Sequence, residues 1–177
     1  MHCPSPIRLS CFGRGFLYRV LLVGVVVTLT HQFAWGELRH VTSESVLRLS
    51  ESAGLNAERV SADTIRVEGN LFRFDISCTF VDVIIGTVPL VWAFNKSIAR
   101  NLCTLIPLAA SLFAFNTVRL EVGQLLFARG APWFLADEVL GGIAYFAVWT
   151  FIVSWFSKYW GQSFQFRTKF PQLIREI

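Results

Sequence analysis

Three separated stretches of this chain carry groups able to do chemistry together: a thiol at Cys78, a guanidinium at Arg119, and carboxylates at Asp137 and Glu138. That chemistry would be nucleophilic. A free thiol with a pKa of about 8.5 is mostly protonated at neutral pH. A helix N-terminus and a nearby Arg both favour the thiolate. A guanidinium beside the thiol can also hold the oxyanion of a tetrahedral intermediate, an effect of about 3–4 kcal/mol per good donor. A third group must then orient the thiol or move a proton.

Each residue also has a plainer role. A lone Cys packs as a small hydrophobe. An Arg at a helix end reaches toward headgroups, and acids just before a helix complement its dipole. Asp82 follows Cys78 by four residues, so in a continuous helix the two share a face. An ionisable residue inside an apolar block marks a functional candidate; the alternative is a carboxyl kept neutral or paired with an Arg. His40 could supply an imidazole. The four cysteines, Cys3, Cys11, Cys78 and Cys103, show neither paired nor metal-ligand spacing, and His2, His31 and His40 are scattered. No metal site is therefore expected, and nucleophilic thiol chemistry of this kind needs no metal or organic cofactor.

The elements that must position these groups are long apolar blocks. Of the 177 residues, 54% are hydrophobic and only 16% charged, against about 25% charged in a soluble domain. The blocks cover 16–35, 77–94, 102–118 and 139–156. Each is near the length that crosses the hydrocarbon core as a helix. The first, preceded by Arg8, Arg14 and Arg19, reads as a retained anchor rather than a cleaved signal, because Phe33 and Trp35 spoil a small-residue cleavage site. The fold expected is an all-α integral membrane bundle of about four transmembrane helices, with a small extracytoplasmic segment containing a β-hairpin. Its parts are 1–36, the N-terminus and first span; 37–76, the extracytoplasmic segment; 77–156, a three-helix membrane core; and 157–177, a basic tail.

Within 37–76, the stretch 41–53 suits a short amphipathic helix. Two alternating runs, Ile65-Arg66-Val67-Glu68 and Leu71-Phe72-Arg73-Phe74-Asp75-Ile76, flank Gly69-Asn70 and predict a hairpin. The second run leads directly to Ser77-Cys78. The region 119–138 reads as a mixed loop.

Charge sets the orientation. The N-terminus, the 95–101 link and the C-terminal tail hold nine Lys or Arg and one acid, Glu176. The segments 37–76 and 119–138 hold seven Arg against ten acids. Basic flanks stay in the cytoplasm, so both termini are expected there. Cys78, Arg119 and Asp137 then meet at the outer face, while Cys103 begins its span at the inner one. The basic residues flank apolar blocks and form no patch for nucleic acid; the lipid bilayer is the expected partner.

Taken in order, the hairpin leading into Cys78, Asn116-Thr117-Val118-Arg119 at the end of the next span, and Asp137-Glu138-Val139-Leu140-Gly141 at a helix start resemble the exosortase/archaeosortase family over residues 45–156. Thr79-Phe80 stands where the family usually has Ser-Gly, and Asp137 where most members have His. The resemblance implies a membrane cysteine protease or transpeptidase in the bacterial inner membrane. It would process C-terminal sorting signals of exported proteins, with Cys78 as nucleophile, Arg119 on the oxyanion and Asp137 as base or orienting group. The sorting-signal helix would be its partner. The altered third position leaves open a non-catalytic relative serving as scaffold or assembly subunit. A small transporter or channel using Asp82, Asp137 and Glu138 is a third reading.

Overall fold

The computed structural model describes the backbone of residues 7–94 and 96–173, and the side chains of 17–94 and 96–156. Cys3, Cys11, Arg8, Arg14 and the basic side chains from Lys158 onward lie outside the described side chains. The order is α1 (Ile7–Thr30), α2 (Gly36–Ser52), β1 (Ala57–Ser61), β2 (Thr64–Val67), β3 (Asn70–Arg73), a 3₁₀ turn (Ser77–Thr79), α3 (Val81–Val91), α4 (Ile98–Ala128), a π-helical turn (Phe134–Val139) and α5 (Leu140–Leu173). The protein is mostly helical, with one small antiparallel sheet in the order β1-β2-β3.

Among the described residues, two helices are long and apolar enough to cross a membrane, Ile98–Ala128 and Phe134–Phe156, with mean hydropathy 1.6 and 1.8. Only 11% of each apolar window is buried inside the protein. A core helix of a water-soluble protein would bury most of such a surface. Here Phe115, Val118, Phe146 and Phe151 face outward, and apolar faces this large mark an interaction with lipid or protein. The apolar stretches Leu17–Thr30 and Val81–Val91 are shorter.

The block at 77–94 does not form one full-length helix. Phe80 adopts a left-handed conformation (φ 54°) that separates the 3₁₀ turn from α3. Pro89 lies in the last turn of α3, and Trp92 is extended. The remaining eleven residues rise about 16 Å, roughly half the hydrocarbon thickness. Arg19 of α1 closes the far end, donating to the carbonyls of Pro89 at 2.5 Å and Trp92 at 3.1 Å. This contact sets α1 antiparallel to α3, its most extensive neighbour.

The expected loop at 119–138 is instead mostly helix. The polar residues that suggested a loop point into the protein: Glu121 accepts from Ser50 Oγ of α2 at 2.5 Å, and both are buried. At 31 residues, α4 is about 46 Å long and exceeds the roughly 30 Å hydrocarbon core. Its C-terminal part packs against α2 and the sheet. There Val46, Leu47, Ile65, Val67, Phe72, Phe74 and Leu120 form one apolar cluster. Phe80, Val83, Leu90, Leu112 and Ile152 form a second one between the helices.

The hairpin is found, with its turn one residue earlier than the sequence suggested. Val67 pairs with Asn70, leaving Glu68 (φ 48°) and Gly69 (φ 81°) as the two turn residues, both with the positive φ of a type I′ turn. β1 had no expectation in the sequence; its alternation is masked by charges. Those charges pair on the surface: Arg39 with Asp63 at 3.2 Å, Arg59 with Glu44 at 2.5 Å, and Arg66 with Glu58.

Candidate functional site

Cys78 packs against the first apolar cluster, two residues before Phe80 of the second. Asp75 shapes the turn that carries it. Its Oδ1 accepts from the backbone N–H of Ser77 at 2.9 Å, the Ser77 hydroxyl at 2.6 Å and the N–H of Cys78 at 3.2 Å. These bonds outweigh the burial that works to raise its pKa, and hold the carboxyl below its ordinary value. From the other side, Asn116 Nδ2 donates to the Cys78 carbonyl at 2.6 Å. The first residue of the Asn-x-x-Arg pattern therefore anchors the backbone of the thiol residue.

Arg119, one turn further along α4, bonds Asp137: Nη2 lies 3.3 Å from Oδ1. Its guanidinium passes 6.0 Å from the centre of the Phe80 ring and lies against Gly141, where a Cβ would collide with Nη1. Glycine at 141 leaves room for the guanidinium. A second close approach is at Gly123, whose added Cβ would fall 2.7 Å from the Ala136 carbonyl oxygen. This draws the π-helical turn bearing Asp137 onto α4. π-Helical turns recur at functional sites.

Cys78 and Asp137 line one cleft of about 190 Å³, together with Phe72, Gln124, Phe127 and Trp133. The three aromatic rings pack on one another at 5.4–5.9 Å between centroids. Gln124 is 3% exposed, and its Oε1 has no hydrogen-bond partner among the described residues. Cys78 and Asp137 thus share the cleft, and Arg119, outside its lining, is tied to it through Asp137.

The thiol does not behave as the sequence suggested. Burial, reinforced by the Asp75 and Asp137 carboxylates, pushes Cys78 up to about 11. Arg119 is committed to Asp137, and the left-handed residue at Phe80 puts Cys78 before α3 rather than at its first turn. The resting group is a neutral thiol. The same break removes the shared face expected for Cys78 and Asp82. Asp82 instead accepts from the Tyr145 hydroxyl at 2.9 Å, between α3 and α5. His40 contacts the Ala62 carbonyl at 3.1 Å and Arg59 at 3.3 Å, on the β1–β2 turn, and does not line the cleft. Cys103 is exposed on α4, apart from the cleft. Among the described residues, no cluster of His, Cys, Asp or Glu suits a metal ion.

Asn116 and Gly141 were visible in the sequence as parts of patterns, without a physical role. Gln124, Trp133 and Asp75 gave no signal there, because nothing in their spacing reveals a cleft built from three elements. Comparisons with family models, with curated proteins and with solved structures each return no match.

Proposed function

We propose that this chain is an exosortase-like membrane cysteine protease or transpeptidase, acting on C-terminal sorting signals of exported proteins at the outer face of a bacterial inner membrane. The observation that carries the reading is the cleft shared by Cys78 and Asp137, with Arg119 bonded to that Asp and Asn116 to the Cys78 backbone. Cys78 Sγ attacks the scissile carbonyl carbon, and the oxyanion forms within reach of Arg119. The C–N bond then breaks, the leaving amine takes a proton, and a thioester remains for water or an acceptor nucleophile to release. Asp137, freed from Arg119 as the oxyanion develops, receives the thiol proton in this scheme.

In the same proposal α1 and α3 join α4 and α5 as a four-span bundle with both termini in the cytoplasm. Exposed Leu21, Leu22, Val25 and Leu29 on α1 and the excess of basic residues at the inner flanks support it. The test is co-expression with C-terminally anchored candidate substrates. Processing by wild type and none by Cys78→Ala is the expected result; equal processing in both removes the cysteine mechanism.

A second reading, a non-catalytic relative serving as scaffold or assembly subunit, is favoured by the neutral resting thiol and the carboxylate at 137. It predicts that partner proteins co-purify equally with wild type and Cys78→Ala, and that neither variant cleaves them.

A further inference from the structure

The sheet ends in an open edge that borders the cleft. With Glu68-Gly69 as a two-residue turn, Val67 and Asn70 form the bonded pair that closes the hairpin, and Ile65 and Phe72 form the next. Phe74 continues the inward alternation, its N–H donating to the Asp63 carbonyl at 2.8 Å. The N–H and C=O groups of Leu71 and Arg73 therefore point away from β2. Among the described residues, neither makes a backbone bond outside the ladder. Both residues line the cleft that also holds Cys78. Such an edge is costly to leave bare, because its unpaired groups template another strand.

We propose that the substrate docks as an extended peptide added to β3 as a fourth strand, its main chain bonded to Leu71 and Arg73 and its scissile bond led to Cys78. The proposal rests on the cysteine-peptidase reading and names how that site takes its polypeptide. The cleft has room for on the order of a dozen waters, which suits a short stretch of chain. Strand addition draws affinity from the main chain and specificity from alternate side chains. An apolar side chain of the substrate packs against the wall formed by Phe72, Phe127 and Trp133, and the buried amide of Gln124 meets the polar atoms that follow. The aromatic wall and the unsatisfied Gln124 Oε1 point to an occupant that is apolar on one side and able to hydrogen-bond on the other. A peptide strand meets both requirements.

The test compares two thiol reagents on the full-length protein in detergent, read by mass spectrometry at Cys78. One is acetyl-Val-Ala-Val-Ala chloromethyl ketone, whose chloride is displaced by the sulfur to give a thioether. The other is iodoacetamide, which needs no docking. In wild type the peptidyl reagent should gain roughly tenfold over its reactivity toward the urea-unfolded protein, relative to iodoacetamide. Leu71→Pro, which removes an outward N–H at an edge position where proline is tolerated, should abolish that gain, whereas Leu71→Ala keeps it. A probe N-methylated on alternate residues should lose the gain on unmodified protein. Iodoacetamide rates should be equal in all three proteins. A gain that survives both Leu71→Pro and N-methylation overturns strand addition, and so does no gain in wild type. Labelling reads docking alone; if it succeeds while wild type and Cys78→Ala process substrates equally, the peptidase reading fails and the strand site stands.

Discussion

The protonation state of Cys78 sets how fast any reagent can reach it, so alkylation measured against pH tests the electrostatics of the cleft. With a pKa of about 11, the thiol is ionised at pH 7.5 in roughly one molecule in 3,000, against roughly one in ten for a free thiol. A less acidic thiol is intrinsically more nucleophilic, with a Brønsted slope of about 0.4–0.5, which returns about tenfold. Iodoacetamide should therefore modify Cys78 roughly 20–30-fold more slowly than the same residue in urea-unfolded protein. The raised pKa fixes the sign of the pH dependence: the rate climbs about tenfold per unit between pH 7 and 10, with no plateau in that window. Quantitative mass spectrometry of the Cys78 peptide after timed quenching gives both numbers. Asp137→Asn removes a carboxylate that opposes the thiolate and releases Arg119, so its labelling should be faster. Burial remains the larger cause, and the gain should be only a few-fold. A plateau below pH 9, or equal rates in folded and unfolded protein, would show that the cleft already holds a thiolate and that this account of its electrostatics is mistaken.

Other substitutions probe the support of the site. Gly141→Ala should push the Arg119 guanidinium off its seat with little change in melting temperature, because the displaced atoms end a flexible side chain; substrate processing should fall on the order of a hundredfold. Asn116→Ala leaves the Cys78 carbonyl without its donor and should cost about 1–3 kcal/mol in denaturant unfolding; an unchanged midpoint would argue against that bond. Gly123→Ala meets the Ala136 backbone, which cannot swing aside, and should destabilise the protein by about 1–3 kcal/mol in the same assay.

The parts of this architecture set by local chemistry were legible in the sequence. Apolar blocks announced α1, α4 and α5, and the alternation around Gly69 announced the hairpin. The sequence erred where a tertiary partner decides. Glu121 and Gln124 looked like loop residues until α2 and the cleft gave them surroundings, and Arg119 looked like a helix end for the same reason. At Phe80 the chain takes a left-handed turn without glycine or asparagine to signal it, so an apolar block that read as one span became a 3₁₀ turn and a short helix. Cys78 and Asp137 share one cleft, and Arg119 bonds Asp137 beside it. The neutrality of the thiol was hidden, because it comes from packing and from carboxylates that only folding brings near.

Asn116, Arg119, Gly123 and Gln124 all belong to α4, within about 12 Å along its axis. The anchor of the thiol's backbone, the cation, the close approach to the 137 turn and the unsatisfied amide are thus graduations on a single rod. The N-terminal length of that rod carries exposed apolar side chains such as Ile98, Leu102 and Ile106. A change in its inclination would move these groups together. Their spacing along the rod is fixed by the helix, so the distance from rod to sheet edge is what such a tilt would alter.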